Sequence, residues 1–193
     1  MLNFGEILLC TFINTYGDIM KNFFIAVLFC LIGSSLVIAA QQQDQLDHLS
    51  CSYCGMDRTK FGHSRMLVKY QDGGEVGTCS IHCMALEFAN AINRTPEQLL
   101  VADYNSGNLI DAERATWVLG GDRQGVMTAR AKWAFAERST ADAFIAEHGG
   151  VIIDFDQAMK ASYEDMYQDT QRIRHMRAMK KMKMGNMKMP QHN

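Results

Sequence analysis

The sequence predicts an α+β fold: two ββαβ units packed together, then a C-terminal helix and a Met-rich tail. Three observations predict it. Glycine-rich turns separate short apolar runs of strand length. Two such runs are followed by a helical pattern and one more short run, and that order occurs twice. After residue 156 a helical pattern runs on into a segment dense in Met and Lys.

Residues 1–40 read as a targeting segment. Lys21-Asn22 precede an apolar run from Phe23 to Ala40 that ends in small residues. A basic start, an apolar middle and a small-residue end describe a secretory signal. Val37 and Ala39 suit the two small-residue positions before a cut. Met20 suits a true start, because Glu6 and Asp18 are odd ahead of a signal. An uncleaved anchor is the alternative, since the run is just long enough to span a membrane. A lipid anchor at Cys30 fits less well, because Phe29 stands where a small residue is wanted. The expectation is a periplasmic or otherwise extracytoplasmic protein, free after cleavage or held at the membrane by this segment. The mature chain, about 150 residues, would bury about two-thirds of its unfolded surface.

The elements follow in order. Gln41 to Asp47 is a polar spacer, and residues 57–62 are polar and turn-like. Arg65 to Tyr70 reads as a strand and Glu75 to Cys79 as its partner. Asp72-Gly73-Gly74 joins them, because glycine supplies the positive φ of a hairpin turn. Ser80 suits a helix N-cap, and Ile81 to Asn93 places apolar residues at helical spacing. Thr95-Pro96 ends this unit before a short strand from Leu99 to Ala102. Asn105-Ser106-Gly107-Asn108 is a turn. The order then repeats: a strand from Ala115 to Gly120, a turn at Gly120-Gly121-Asp122 and a strand from Lys132 to Ala136. Ser139 caps a helix over 140–147, Gly149-Gly150 terminates it, and Val151 to Ile153 is the last strand. Asp156 to Lys183 is a long helix. Its Met159, Tyr163, Met166 and Tyr167 form a docked face. The chain therefore divides into a targeting segment (1–40), a domain (41–156), and a helix with a Met/Lys-rich tail (157–193).

Composition excludes several classes. The net charge is −2, which gives no reason to expect nucleic acid. No hydrolytic triad or phosphate loop is present, and the protein is expected not to be an enzyme. The uneven features are fourteen Met and six Cys against two Pro. Cys10 and Cys30 fall in the targeting segment. Four cysteines remain, in two knots: Cys51-Ser52-Tyr53-Cys54-Gly55-Met56 and Cys79-Ser80-Ile81-His82-Cys83-Met84.

Each knot lets two sulfurs meet at one point, and the predicted hairpin brings both knots to the same end. Thiolate and thioether together select soft ions, Cu(I) before others, and zinc when only thiolates bind. An even cysteine count in an oxidising compartment also suits disulfides. Against that, each pair would close only a tiny loop, which gains little chain entropy. Met and His are interleaved with the Cys, which a staple does not need. Three readings stay open: a Cu(I) site using some thiols plus Met56 with His82 or Met84 near, a four-cysteine structural zinc site, and disulfide staples. Cys83 falls in the first helical turn, where the dipole favours the thiolate. A thiol oxidoreductase would need Cys51-x-x-Cys54 at a helix start after an apolar strand, and that strand is missing.

The Cys-x2-Cys-Gly-Met start and the Cys79-Ser80-x2-Cys83 to Phe88 close resemble the TRASH/YHS heavy-metal-binding modules. From about His48 to Asp156 the chain resembles the NosL family. The residues carrying this are Tyr53-Cys54-Gly55-Met56, Asp103-Tyr104, Asp111-Ala112, Trp117-Val118-Leu119-Gly120, Gly125-Val126-Met127, Phe135, and Ala143 through Gly150. The resemblance implies an exported Cu(I) chaperone built from ββαβ units, serving nitrous oxide reductase or its assembly factors. It implies Cys54 and Met56 as the core ligand pair, with Met127 matching the methionine of the second half. Cys51, Cys79, Cys83 and His82 are this chain's additions as metal ligands, and the Met-rich tail is additional too.

Other residues carry weaker signals. Met127 lies in a Gly-rich turn, where a metal-facing role and a gap-filling one are both open. His148 ends a helix, where a cationic imidazole meets the dipole favourably. His63 is uncommitted, and Asp103 and Asp111 read as turn or surface residues. The tail carries Met176, Met179, Met182, Met184, Met187 and Met189 among lysines. It can collect Cu(I), lie as a basic amphipathic helix on an anionic membrane surface, or stay solvated.

Overall fold

The computed structural model describes residues 43–187. The targeting segment expected over 1–40, with Cys10 and Cys30, lies outside the described residues, as does the tail beyond Met187. The described chain runs β1 (Met66–Tyr70), β2 (Glu75–Thr78), α1 (Ile81–Asn90), β3 (Pro96–Ala102), β4 (Leu109–Asp111), β5 (Thr116–Leu119), β6 (Lys132–Phe135), α2 (Arg138–His148), β7 (Val151–Ile153) and α3 (Phe155–Met187). Two antiparallel sheets result, ordered β2-β1-β3-β4 and β6-β5-β7.

This is the α+β architecture that the sequence predicts, and the duplication is present in its topology. In each unit the strand after the helix pairs with the first strand, β3 with β1 and β7 with β5. Strand β4 is the exception. It is three residues long, pairs with the end of β3, and is too short to give a periodic signal.

Local chemistry explains the boundaries. Tyr70 N–H donates to Gly74 O and Gly73 N–H to Tyr70 O, both at 2.9 Å. Gly73 sits at φ 83°, and the Asp72 carboxylate accepts the Gly74 N–H at 2.8 Å. The hairpin is thus held at the three residues expected. The helix starts differ from expectation. Ser80 stands at the N-cap of α1 but its side chain makes no capping bond. Helix α2 starts at Arg138 with Glu137 as N-cap, so Ser139 lies inside the helix. Helix α3 opens on a reciprocal capping box: Gln157 N–H donates to Asp154 Oδ1 at 2.8 Å, and Asp154 N–H to Gln157 Oε1 at 3.1 Å. Gly149 ends α2 at φ 73°, as the sequence predicts.

The side chains sort into two cores. Met66, Val68 and Tyr70 of β1 meet Leu99, Val101, Trp117, Ile81, Met84 and Met159 in the first. Val118, Trp133, Phe135 and Phe144 surround Cys51, Cys79 and Cys83 in the second. Trp117 and Val118 are neighbours on β5 and face opposite cores, because side chains alternate along a strand. The second sheet is therefore buried on both faces, and the cysteines form one wall of its outer core.

The expected polar spacer is partly interior. Asp44 is buried, within 3.0 Å of Arg58 Nη2 and 2.9 Å of Arg65 Nε, and both guanidinium groups are buried too. Arg58 also donates to the carbonyls of His48, Met66 and Thr78. It ties the segment before the first knot to the β1–β2 hairpin. Gly77 makes room for it, since a Cβ there would lie 2.8 Å from Arg58 Cζ. Asp103, expected at a turn or on the surface, is a buried turn residue that also bridges the sheets. Its carboxylate accepts from Ser106 N–H and Oγ–H, and from Ala136 N–H at 3.0 Å.

Helix α3 packs on α1 and on the second sheet. Lys132 Nζ lies 2.7 Å from Asp165 Oδ2, and Arg130 Nη2 lies 2.9 Å from Asp165 Oδ1. Among the described residues no helix is long and apolar enough to cross a membrane.

Candidate metal centre

The first knot is a tight turn. Cys51 N–H donates to Met56 O at 2.8 Å and Gly55 N–H to Cys51 O at 2.9 Å. Gly55 supplies the positive φ, 71°, that closes it. The turn is pinned to β2, because Ser52 N–H and Oγ–H both donate to Gly77 O at 3.1 Å. Tyr53 O–H adds a bond to Glu87 Oε2 of α1 at 2.7 Å. The second knot begins where β2 ends. Cys79 follows the strand, and Cys83 stands in the first turn of α1, its N–H donating to Ser80 O at 3.1 Å.

The hairpin brings the knots together as the sequence predicts. Cys54 Sγ lies 3.4 Å from Cys79 Sγ, and Cys79 Sγ 3.8 Å from Cys83 Sγ. The four sulfurs all lie within 4.8 Å of one another. A tetrahedral ion with metal–sulfur bonds of about 2.3 Å places its sulfurs about 3.8 Å apart. The cluster therefore has the dimensions of one metal site. Cys51, Cys79 and Cys83 are buried and Cys54 is half-buried, so the cluster opens toward solvent on the Cys54 side.

Electrostatics reinforce this. Hydrogen bonds from Cys54, Cys79 and Cys83 pull the Cys51 thiol far below its ordinary range. Cys54 is also lowered: its hydrogen bond with Cys51 opposes this, and those from Cys79 and Cys83 outweigh it. Cys79 and Cys83 go the other way, raised first by their hydrogen bonds to Cys51. The expectation that the helix N-terminus would favour a Cys83 thiolate is thus reversed by closer neighbours. Four like charges cannot share so small a volume, and a cation is what would let all four thiols ionise.

The remaining predicted ligands are placed as follows. Met56 and Met127 pack against the cysteine core and line one cavity of ≈ 520 Å³ together with His63. Met127 is, among the described residues, the one non-glycine at positive φ, 63°. Such a conformation is strained and is held only where the surroundings impose it. His82 does not join the sulfurs. It is buried with Nδ1 directed at Asp169 Oδ2 of α3, 3.7 Å away. Neither of those two atoms has a hydrogen-bond partner. His148 faces Asp122 at 3.1 Å, at the end of α2.

Some participants gave no local signal. Glu87 is buried in α1 and accepts from both Tyr53 and Tyr70 at 2.7 Å. Arg177 Nη2 donates to Cys54 O at 3.2 Å across 123 residues. Only a tertiary arrangement relates such pairs.

Fold and site together define a small α+β protein whose clustered cysteines have the geometry to bind a metal ion. The NosL family model matches residues 43–163, and the chain belongs to the NosL family. No curated protein matches the sequence significantly. Among solved structures, the copper chaperone NosL from Shewanella denitrificans is similar, with TM-score 0.44 and 22% identity. That match covers 55% of this chain and 87% of the other.

Proposed function

We propose that this protein is an exported metallochaperone that binds Cu(I) and passes it by ligand exchange to a client, nitrous oxide reductase or its assembly factors. The observation that carries the reading is the convergence of four cysteine sulfurs within 4.8 Å, beside a cavity whose lining includes Met56 and Met127. Thiolates alone suit zinc, whereas thiolates with thioethers suit Cu(I). Membership of the NosL family supports the same reading. Cys54, Met56 and Met127 are the ligands the family resemblance implies, and Cys51, Cys79 and Cys83 add thiolate charge behind them. A low-coordinate soft site releases its ion readily, because an incoming ligand can attack before the old one leaves. Residues 1–40 direct export, 41–156 form the metal-binding domain, and 157–193 add the helix and tail. The lysines interleaved in that tail offer a contact for an anionic membrane surface.

A second reading, a structural zinc site of four cysteines, is favoured by the sulfur spacing, which matches a tetrahedral ion. An anaerobic competition titration separates the two. The Cys54→Ser, Met56→Leu double variant is expected to lose tight Cu(I) binding. Unchanged affinity would overturn the assignment.

A further inference from the structure

After Asp169 the sequence contains no acidic residue. Residues 170–193 carry three Arg and four Lys, in a chain whose net charge is −2. Arg172, Ile173, Met176, Arg177 and Lys180 recur at helical spacing in α3 and form one stripe. That stripe is one wall of the ≈ 520 Å³ cavity beside the first knot. Phe61, Val126 and Met127 add apolar lining from two other segments, and no carboxylate lines the cavity.

The cations here lack the partners that other cations of the fold possess. Arg58 and Arg65 reach Asp44, Arg94 reaches Asp72 and Lys132 reaches Asp165, all within 3.0 Å. Arg172 stands 3.8 Å from Asp169 Oδ1, and that oxygen already accepts the Ala129 N–H at 2.9 Å. The Arg172 Nε is buried without a hydrogen-bond partner. Arg177 Nη2 donates to an uncharged group, Cys54 O, at 3.2 Å. Lys180 is exposed and makes no ion pair among the described residues. A carboxylate brought to this place meets three positive charges beside an apolar recess.

We propose that the cavity is a docking groove for an acidic segment of a partner protein, one with an apolar side chain next to its carboxylates. The apolar side chain enters against Phe61 and Met127, and the carboxylates meet Arg172, Arg177 and Lys180. Complementary charge of this kind speeds encounter and fixes register. Arg177 ties the groove to Cys54, so a docked partner is held where the cysteine cluster opens. That consequence for metal transfer rests on the metallochaperone reading, whereas the docking itself needs no metal. An anionic bilayer also attracts a basic helix. It is flat, however, and would engage Arg174 and Lys181 as readily, which are exposed and do not line the recess.

The test uses the full chain, reduced and metal-free, and a short dye-labelled peptide of Glu, Asp and Leu. Fluorescence anisotropy is expected to show binding that added salt weakens, and no binding of the same peptide with Gln and Asn in place of Glu and Asp. Lys180→Glu is expected to weaken binding about 3- to 10-fold, and Arg174→Glu, the same charge change outside the groove, by less than about 2-fold. Thermal unfolding verifies that both variants fold. Equal losses in the two variants would overturn the groove in favour of diffuse attraction. Absence of peptide binding, with vesicles of phosphatidylglycerol bound instead, would overturn it in favour of a membrane surface. Absence of both would overturn it outright. Unchanged Cu(I) affinity in the Cys54→Ser, Met56→Leu variant would sink the metal reading alone, because the peptide is measured without metal.

Discussion

Cys54 Sγ and Cys79 Sγ, 25 residues apart in sequence, lie 3.4 Å from each other. This contact closes the first knot onto the second, and it is nonbonded. A disulfide would require the sulfurs to approach to about 2.05 Å. Cys54 is the half-buried member of the four and one of the two thiols held below the ordinary range. It is therefore the one an oxidant reaches first, in its reactive form. Mild oxidation of the metal-free protein is expected to join Cys54 to Cys79 before Cys51 to Cys54. Peptide mapping by mass spectrometry distinguishes the two products. Metal binding is expected to vanish with that bond and return on reduction.

Proton release reports the cluster's charge state. Cys51 and Cys54 are held low, while Cys79 and Cys83 are raised and keep their protons near neutral pH. An ion that engages all four thiolates must displace the protons of the raised pair. Loading through all four thiolates is expected to release protons near neutral pH, and affinity is expected to climb as pH rises. Calorimetry in buffers of different ionisation enthalpy measures the number directly.

The strain at Met127 separates stability from affinity. At φ 63° a side chain costs about 1–2 kcal/mol that glycine does not incur, while glycine loses about 0.5–1 kcal/mol in chain entropy. Met127→Gly is expected to leave stability unchanged or lower it by about 1–2 kcal/mol, because the strain relieved is offset by glycine's chain entropy and by the lost packing of a half-buried side chain. It is expected to weaken Cu(I) binding at the same time. Urea unfolding and competition titration on one preparation check both halves.

Much of this was legible locally. Asp72-Gly73-Gly74 announces the hairpin, because few other residues accept the turn's φ, and the hairpin alone implies that the knots meet. Gly149 announces the end of α2 for the same reason. What was not legible depends on partners far along the chain. Asp44 looks like part of a polar spacer until Arg58 and Arg65 fold around it. His82 looks like a ligand because it sits between Cys79 and Cys83. The helical turn points it instead at Asp169, 87 positions later in sequence by numbering. Ser80 and Ser139 look like caps, yet neither side chain caps a helix start, and the capping box at Asp154 and Gln157 went unread.

The most direct test of the central claim is the metal content and oxidation state of the full-length protein, isolated anaerobically from its own compartment. The account predicts stoichiometric copper, present as Cu(I) with sulfur ligands. Stoichiometric zinc with no copper would contradict it.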